Sequence, residues 1–185
     1  PPNYVDLINK INSLRETNCY SECMEMCNKV TLLYPHYVHA WNILALITMN
    51  DDFRLASQYF EKIINMETSD LSSKAIQLNA FRNLATCQHN IGNYKEAINY
   101  YNLYFNESEK FYSKTSNIKP SSFDDDNIRT YLAIVDCYMI LDNFLEAKKI
   151  LVILEKLKNP TFSYLIFAKI GILYFKSGDL SKSYN

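Results

Sequence analysis

The chain has 185 residues, of which 48% are hydrophobic, and its formal net charge at pH 7 is −1. This apolar share supports a packed core and argues against a disordered chain. The near-neutral charge removes the electrostatic case for nucleic acid, which needs a clustered basic face. No stretch approaches the roughly 20 uninterrupted apolar residues of a membrane-spanning helix. We therefore expect neither a nucleic-acid partner nor a membrane span.

One four-residue turn recurs five times along the chain. Each copy ends one helical run with a residue that tolerates a left-handed backbone and opens the next run with a large apolar side chain. The copies are Thr17-Asn18-Cys19-Tyr20, Asn50-Asp51-Asp52-Phe53, Ile91-Gly92-Asn93-Tyr94, Leu141-Asp142-Asn143-Phe144 and Ser177-Gly178-Asp179-Leu180. A small residue follows three positions after each apolar side chain, at Cys23, Ala56, Ala97, Ala147 and Ser183. A turn that recurs in this way predicts a solenoid of helix pairs. It also predicts that a helix ends at each of Asn18, Asp51, Gly92, Asp142 and Gly178.

The helices of each predicted pair repeat a second pattern, with apolar residues three and four positions apart on one face. In chain order the first helices read Leu7-x-x-Lys10-Ile11-x-x-Leu14, Trp41-x-x-Leu44-Ala45-x-x-Thr48, Phe81-x-x-Leu84-Ala85-x-x-Gln88, Tyr131-x-x-Ile134-Val135-x-x-Tyr138 and Phe167-x-x-Ile170-Gly171-x-x-Tyr174. The second helices place a large residue four positions after the small one, as in Ala56-x-x-x-Phe60 and Ala97-x-x-x-Tyr101. The pattern resembles the tetratricopeptide (TPR) repeat. This resemblance implies an all-α fold, a right-handed superhelix of TPR-type antiparallel helix pairs.

The repeat phase divides the sequence as one TPR domain over residues 1–185. The predicted repeats are approximately 4–36, 37–69, 70–112, 127–160 and a truncated 161–185, with an inserted loop at about 113–126. We interpret the long third repeat as a lengthened first helix, similar to the longer TPR units of kinesin light chains. Ser113 to Ser122, with Pro120, breaks the helical pattern, and Asp124 to Asp126 can cap the next helix. The loop is either disordered or a binding or modification loop. The sequence opens without Met and stops within a predicted helix, so we expect a piece of a longer protein.

The cysteines and glycines of the sequence indicate roles in helix packing rather than in metal binding or catalysis. Cys19, Cys23 and Cys27 lie at helical spacing and could hold zinc, yet Cys23 and Cys27 fall on core positions of the repeat. The three glycines occupy turn or close-packing positions, so none is left for a phosphate-binding loop. We expect no metal, no cofactor and no catalytic site. Five cysteines in helical patterns favour a reducing compartment, hence an intracellular protein, cytoplasmic or nuclear.

In the TPR family the first helices line the concave face. The resemblance therefore implies a set of inward-facing residues that begins one position after the aromatic residue and continues four and seven positions later. The candidates are Asn42, Leu46 and Met49, then Arg82, Thr86 and His89, then Leu132, Asp136 and Met139, and then Ala168, Ile172 and Phe175. Lys169, next to Ala168, joins the candidate set as a possible clamp residue. The carboxylate clamp of TPR co-chaperones is matched only in fragments (Asn12, Arg82, Asn83 and Lys169), because Ile8, Ile43 and Ala133 stand where polar ligands are needed.

The function that this implies is a protein–protein interaction scaffold or adaptor, which binds a partner peptide or helix in its concave groove as part of a multiprotein complex. It is not an enzyme in this reading. One alternative is a TPR co-chaperone that binds chaperone C-termini. Another is the substrate-recognition arm of an enzyme whose catalytic domain lies outside this sequence.

Overall fold

The computed structural model describes residues 4–115 and 124–178, and all regular secondary structure in those two ranges is helical. The helices are α1 (Tyr4–Glu16), α2 (Tyr20–Leu33), α3 (Val38–Thr48), α4 (Phe53–Ile64), α5 (Leu71–Ile91), α6 (Tyr94–Thr115), α7 (Asp125–Ile140), α8 (Phe144–Lys156) and α9 (Ser163–Lys176). The odd-numbered helices are the first helices of the repeats, and the even-numbered ones are the second helices.

The recurring turns end helices, as predicted. Four of them use a left-handed residue, with φ of 58° at Asn18, 93° at Gly92, 56° at Asp142 and 78° at Gly178. The turn at Asp51 differs, because Asp51 does not have a positive φ. Here the backbone N–H groups of residues 50–52 donate to the carbonyl groups of Ile47 and Thr48 at the end of α3. Asp52 then caps α4 by accepting the N–H groups of Arg54 and Leu55 through its carboxylate, both at 2.9 Å.

The third repeat has the lengthened first helix that its spacing predicts, since α5 has 21 residues where α3 has 11. The predicted insertion is narrower than expected. Helix α6 continues through Thr115, because no glycine or proline interrupts residues 106–115. Helix α7 begins at Asp125, and its N-cap Asp124 accepts the N–H of Asn127 at 2.8 Å. Residues 116–123 of the insertion, and Leu180 and Ser183 of the fifth repeat, lie outside the described residues.

The chain forms two compact units, residues 1–92 (unit one) and 93–185 (unit two). In unit one each helix packs against the next along the chain from α1 to α5, and α3 also packs against α5. This last contact brings the first helices of two consecutive repeats side by side. In unit two the same sequential packing joins α6, α7, α8 and α9.

Each unit has its own hydrophobic core, built from the apolar stripes of neighbouring helices. The core of unit one contains Ile11 of α1, Cys23 and Cys27 of α2, and Leu44 of α3. That of unit two contains residues from α7, α8 and α9, among them Ala147 and Leu151. The small residues Cys23, Ala56, Ala97 and Ala147 have no exposed surface, as expected where helices approach closely.

Candidate interaction surface on the first helices

The predicted inward-facing residues of unit one lie on α3 and α5. Leu46 is 42% exposed, and Asn42 and Met49 flank it as half-buried side chains. Arg82, Thr86 and His89 are half-buried on α5, where the Thr86 hydroxyl donates to the Arg82 carbonyl at 3.0 Å. Within unit one, the apolar residue that this face exposes most is therefore Leu46.

The corresponding prediction for α7 is wrong at two positions. Leu132 is only 3% exposed and Met139 only 6%, and both belong to the core of unit two with Leu151 and Leu154 of α8. The reason is that α7 is packed against both α6 and α8, so that a wide arc of its surface is covered. These two side chains stabilise unit two and are not available to a partner.

The polar member of the α7 set, Asp136, forms an ion pair with Lys169 of α9. The Lys169 side chain is only 13% exposed, so its charge is neutralised within the unit rather than presented to a ligand. The repeat pattern predicts Asp136 and Lys169 among the residues of the inner face. In the structure the two side chains meet across α7 and α9, the first helices of two successive repeats.

Helix α9 exposes the apolar part of its predicted set. Ile172 is 47% exposed and Phe175 is 68% exposed, while Ile166 and Leu173 on the opposite side are buried in the core. Ile172 occupies the same repeat position as Leu46, five residues after the aromatic residue of its helix. The two units thus present an exposed, branched aliphatic side chain at an equivalent position.

Unit one also contains a pocket that the repeat pattern does not predict, between α1, α3 and the start of α5 (the α1–α3 pocket). Its volume is about 360 Å³. Its lining is aliphatic (Ile8, Ile11, Ala40, Ile43 and Ile76) and polar or aromatic (Asn12, Arg15, Tyr37, His39, Asn42 and Ser72). The sequence predicts part of this lining, because Ile8, Asn12 and Ile43 stand at concave-face positions of the TPR pattern. The contributions of Ser72 and Ile76 depend on where α5 begins.

His39 is held at the edge of this pocket by two contacts. Its Nε2 lies 3.1 Å from the Ser72 hydroxyl, and its ring stacks on Tyr37 with a centroid distance of 5.2 Å. Its Nδ1 is shielded from solvent and has no hydrogen-bond partner. A buried polar atom without a partner is costly in water-free surroundings, so this nitrogen is a local cost to the folded state.

A larger surface hollow of about 920 Å³ lies beside Trp41, the single tryptophan of the chain. The Trp41 indole N–H donates to the Pro35 carbonyl at 2.8 Å, and the Lys62 ammonium lies 4.2 Å from the ring centroid. Tyr59 packs on the same ring at 5.6 Å. These contacts join the start of the second repeat to α4, which gives Trp41 a structural role.

The cysteines are free thiols, and Cys23, Cys27, Cys87 and Cys137 are buried. Burial raises the pKa of Cys27 and Cys87 to about 12 and that of Cys137 to about 11. Protonated thiols are poor metal ligands and poor nucleophiles, which fits their place in the helix packing. Within residues 4–115 and 124–178, no group of three or more His, Cys, Asp or Glu side chains is arranged to hold a metal ion. In the same ranges, no helix is both long enough and apolar enough to cross a membrane.

No protein-family model matches this sequence, and no curated protein sequence matches it either. Solved structures do match. The TPR protein YrrB, described as having an unusual peptide-binding site, superposes with a TM-score of 0.70 at 14% identity, covering 98% of this chain and 81% of that one. MamA superposes with a TM-score of 0.70 at 14% identity, and the match covers 97% of this chain and 85% of MamA. A TPR-like repeat protein of Podosopora anserina, a putative kinesin light chain, superposes with a TM-score of 0.66 at 14% identity. That match covers 96% of this chain and 88% of the other.

These matches define the class of protein to which the helix pairs belong, a helical-repeat solenoid. The chain has the TPR fold, and the resemblance deduced from its repeated residues is confirmed at the level of the fold.

Proposed function

We propose that this chain is a non-catalytic protein–protein interaction module, which acts as a scaffold or adaptor in a larger complex. It binds a peptide or helix of its partner on the inner face of its first helices. The observation that carries the proposal is the pair of exposed aliphatic side chains, Leu46 and Ile172, at one repeat position in the two units. Exposed apolar side chains at a regular position suit the apolar face of a partner segment. The peptide-binding site named for YrrB, a protein of the same fold, is consistent with this use.

The contacts on this face favour apolar recognition over a charge clamp. Lys169, one of its two candidate cations, is paired with Asp136, and Arg82 is half-buried on α5. The co-chaperone alternative is disfavoured because Ile8 and Ile43 occupy positions where a carboxylate clamp needs polar ligands, and both line the α1–α3 pocket. The free thiols support a reducing intracellular location, cytoplasmic or nuclear.

The test is capture of partner proteins by the wild-type chain and by a Leu46→Asp/Ile172→Asp variant. Each aspartate replaces about 1 kcal/mol of apolar contact with a charge that must be desolvated on binding. Capture should survive high salt in the wild type and be lost in the variant, with the same far-UV circular dichroism. The matched control is Ile153→Asp, an equally exposed position (50%) on a second helix, which should leave capture unchanged.

The opposite pattern contradicts the proposal. If raised salt abolishes capture while the Leu46→Asp/Ile172→Asp variant captures the same proteins, recognition is electrostatic and lies elsewhere. Equal loss in the Ile153→Asp control would also contradict it, because that residue lies outside the first helices.

A further inference from the structure

We propose that the hollow beside Trp41 binds an arginine-containing segment of a partner protein. The hollow lies where α3 begins and α4 ends, and its lining includes neither Leu46 nor Ile172. It is therefore a second contact surface, which goes beyond the proposed function and can fail separately from it.

An aromatic ring in the lining already carries a cation. Trp41 is half-buried, and the hydrogen bond from its indole N–H to the Pro35 carbonyl fixes the orientation of the ring. The Lys62 ammonium lies 4.2 Å from the ring centroid, and the Lys62 side chain is exposed and can move away. A guanidinium is planar and less strongly hydrated than an ammonium, so it stacks better on an indole. The Lys62 contact therefore marks the place that an arginine of the partner takes.

The charges of the lining favour a further cation. Glu61 and Glu67 both line the hollow, and Lys62 is the only Lys or Arg among the described residues that do so. Neither carboxylate forms an ion pair within residues 4–115 and 124–178. Both lie near the C-terminal end of α4, where the helix dipole adds partial negative charge. A guanidinium that enters the hollow thus finds carboxylate acceptors that no cation of the described chain uses.

The segment that carries Glu67 is held in place before a partner binds. The side-chain amide of Gln77, on α5, donates to the carbonyl groups of Ile63 at 2.9 Å and Met66 at 2.6 Å. The Thr68 hydroxyl, on the other side of Glu67, donates to the side-chain oxygen of Gln77. The chain is thus anchored on both sides of Glu67, which lowers the entropy cost of binding. A volume of about 920 Å³ leaves room for an arginine side chain with peptide backbone on either side.

The experiment is a fluorescence titration of the full 185-residue chain, in which Trp41 is the reporter because it is the only tryptophan. The probe is an acetylated and amidated heptapeptide with two arginines separated by one glycine, in a glycine and serine background. We expect a saturable change in Trp41 emission and in its indole N–H signal by NMR, with a dissociation constant of about 1 mM. High salt should abolish this binding.

Two matched peptides test the chemistry of the ligand. Citrulline in place of both arginines keeps the shape of the side chain and removes its charge, so this peptide should bind at least about fivefold more weakly. Lysine in place of both arginines keeps the charge and removes the planar group. It should bind about two- to threefold more weakly than arginine.

Matched variants locate the binding. Glu61→Gln and Glu67→Gln should each weaken it about two- to fivefold, as expected for the loss of an exposed ion pair. Glu22→Gln makes the same change on α2, outside the hollow, and should leave affinity unchanged. Lys62→Gln should strengthen binding about two- to fivefold, because it removes the cation that competes for the ring. Lys74→Gln removes an exposed lysine elsewhere in unit one and should have no such effect.

Any of four results would overturn the assignment. They are no saturable change in Trp41 emission up to about 10 mM peptide, equal affinity for the citrulline or lysine peptide, a loss in Glu22→Gln as large as in Glu67→Gln, and weaker binding by Lys62→Gln. Partner capture that survives high salt and depends on Leu46 and Ile172 would then leave the proposed function standing without this hollow. Arginine binding that follows these expectations while capture does not depend on Leu46 and Ile172 would leave the hollow standing alone.

Discussion

Truncating Leu132 tests whether this residue is a core or a groove residue. Leu132 lies in the core of unit two with Val135, Leu151 and Ile166, and almost none of its surface is exposed. Leu132→Ala removes buried carbon atoms and leaves a cavity that neighbouring helices fill only in part. The free energy of unfolding should fall by about 3 kcal/mol, within the usual range for buried leucines.

Leu46→Ala is the matched comparison, because it is the same substitution on a first helix at a position that keeps nearly half of its surface in water. Its cost should be about 1 kcal/mol or less. Both values are measured by urea denaturation followed by far-UV circular dichroism, with the slope of free energy against urea concentration checked for constancy. If the two variants lose stability equally, Leu132 is not a core residue and remains a candidate for the groove.

Three further predictions concern packing and pH. Ala147→Leu should lower the free energy of unfolding by about 1–3 kcal/mol, since Ala147 is completely buried on α8, which packs against α7, and leucine is much larger; an unchanged urea midpoint would argue against a close approach of these helices. Gly171→Ala should raise the free energy of unfolding by about 0.5–1 kcal/mol, because a Cβ there would meet no atom of the described residues within 4 Å and alanine favours the helix; a lower urea midpoint than wild type would show that the site is crowded. Burial raises the pKa of Cys27 to about 12, so its stabilising contribution is complete below the ordinary thiol value of 9.0 and is lost as pH rises toward 12. Urea midpoints should therefore decline above pH 9.0, and less steeply in Cys27→Ala than in wild type; equal slopes would refute the assignment.

The helix ends could be predicted from the sequence because their causes are local. A residue that adopts positive φ, such as Asn18 or Gly92, terminates the helix by its own backbone geometry. Asp51 shows the limit of this reasoning, since a residue that tolerates a left-handed backbone does not have to adopt it. There the chain is turned by backbone bonds to Ile47 and Thr48, and the next helix is started by the cap at Asp52.

The α1–α3 pocket could not be predicted in full because its lining is not local. Ile8 and Asn12 can be assigned to one face of α1 from their spacing alone. Ser72 and Ile76 join them only because α5 begins at Leu71 and packs beside α3. A start one turn later would have placed different residues at the pocket, and helix starts are the least certain part of any sequence-based assignment.

Leu132 and Met139 are buried rather than groove-lining for a geometric reason. The same reason supports Leu46 as a residue that contacts the partner. Residues one and eight positions after the aromatic residue lie on the same side of a helix, and on α7 both are covered by packing neighbours. The residue five positions after the aromatic is on the same face but at its edge, offset by about 40° from the first of these positions and by about 60° from the second. On α3, which packs against α2, α4 and α5, this position is still exposed as Leu46. Leu46 stays exposed although three helices pack around α3, whereas Ile172 lies on α9, whose main packing neighbour among the described helices is α8. The exposure of Leu46 is therefore the better evidence for a partner. Leu46 is therefore the residue on which the proposed interaction surface depends most.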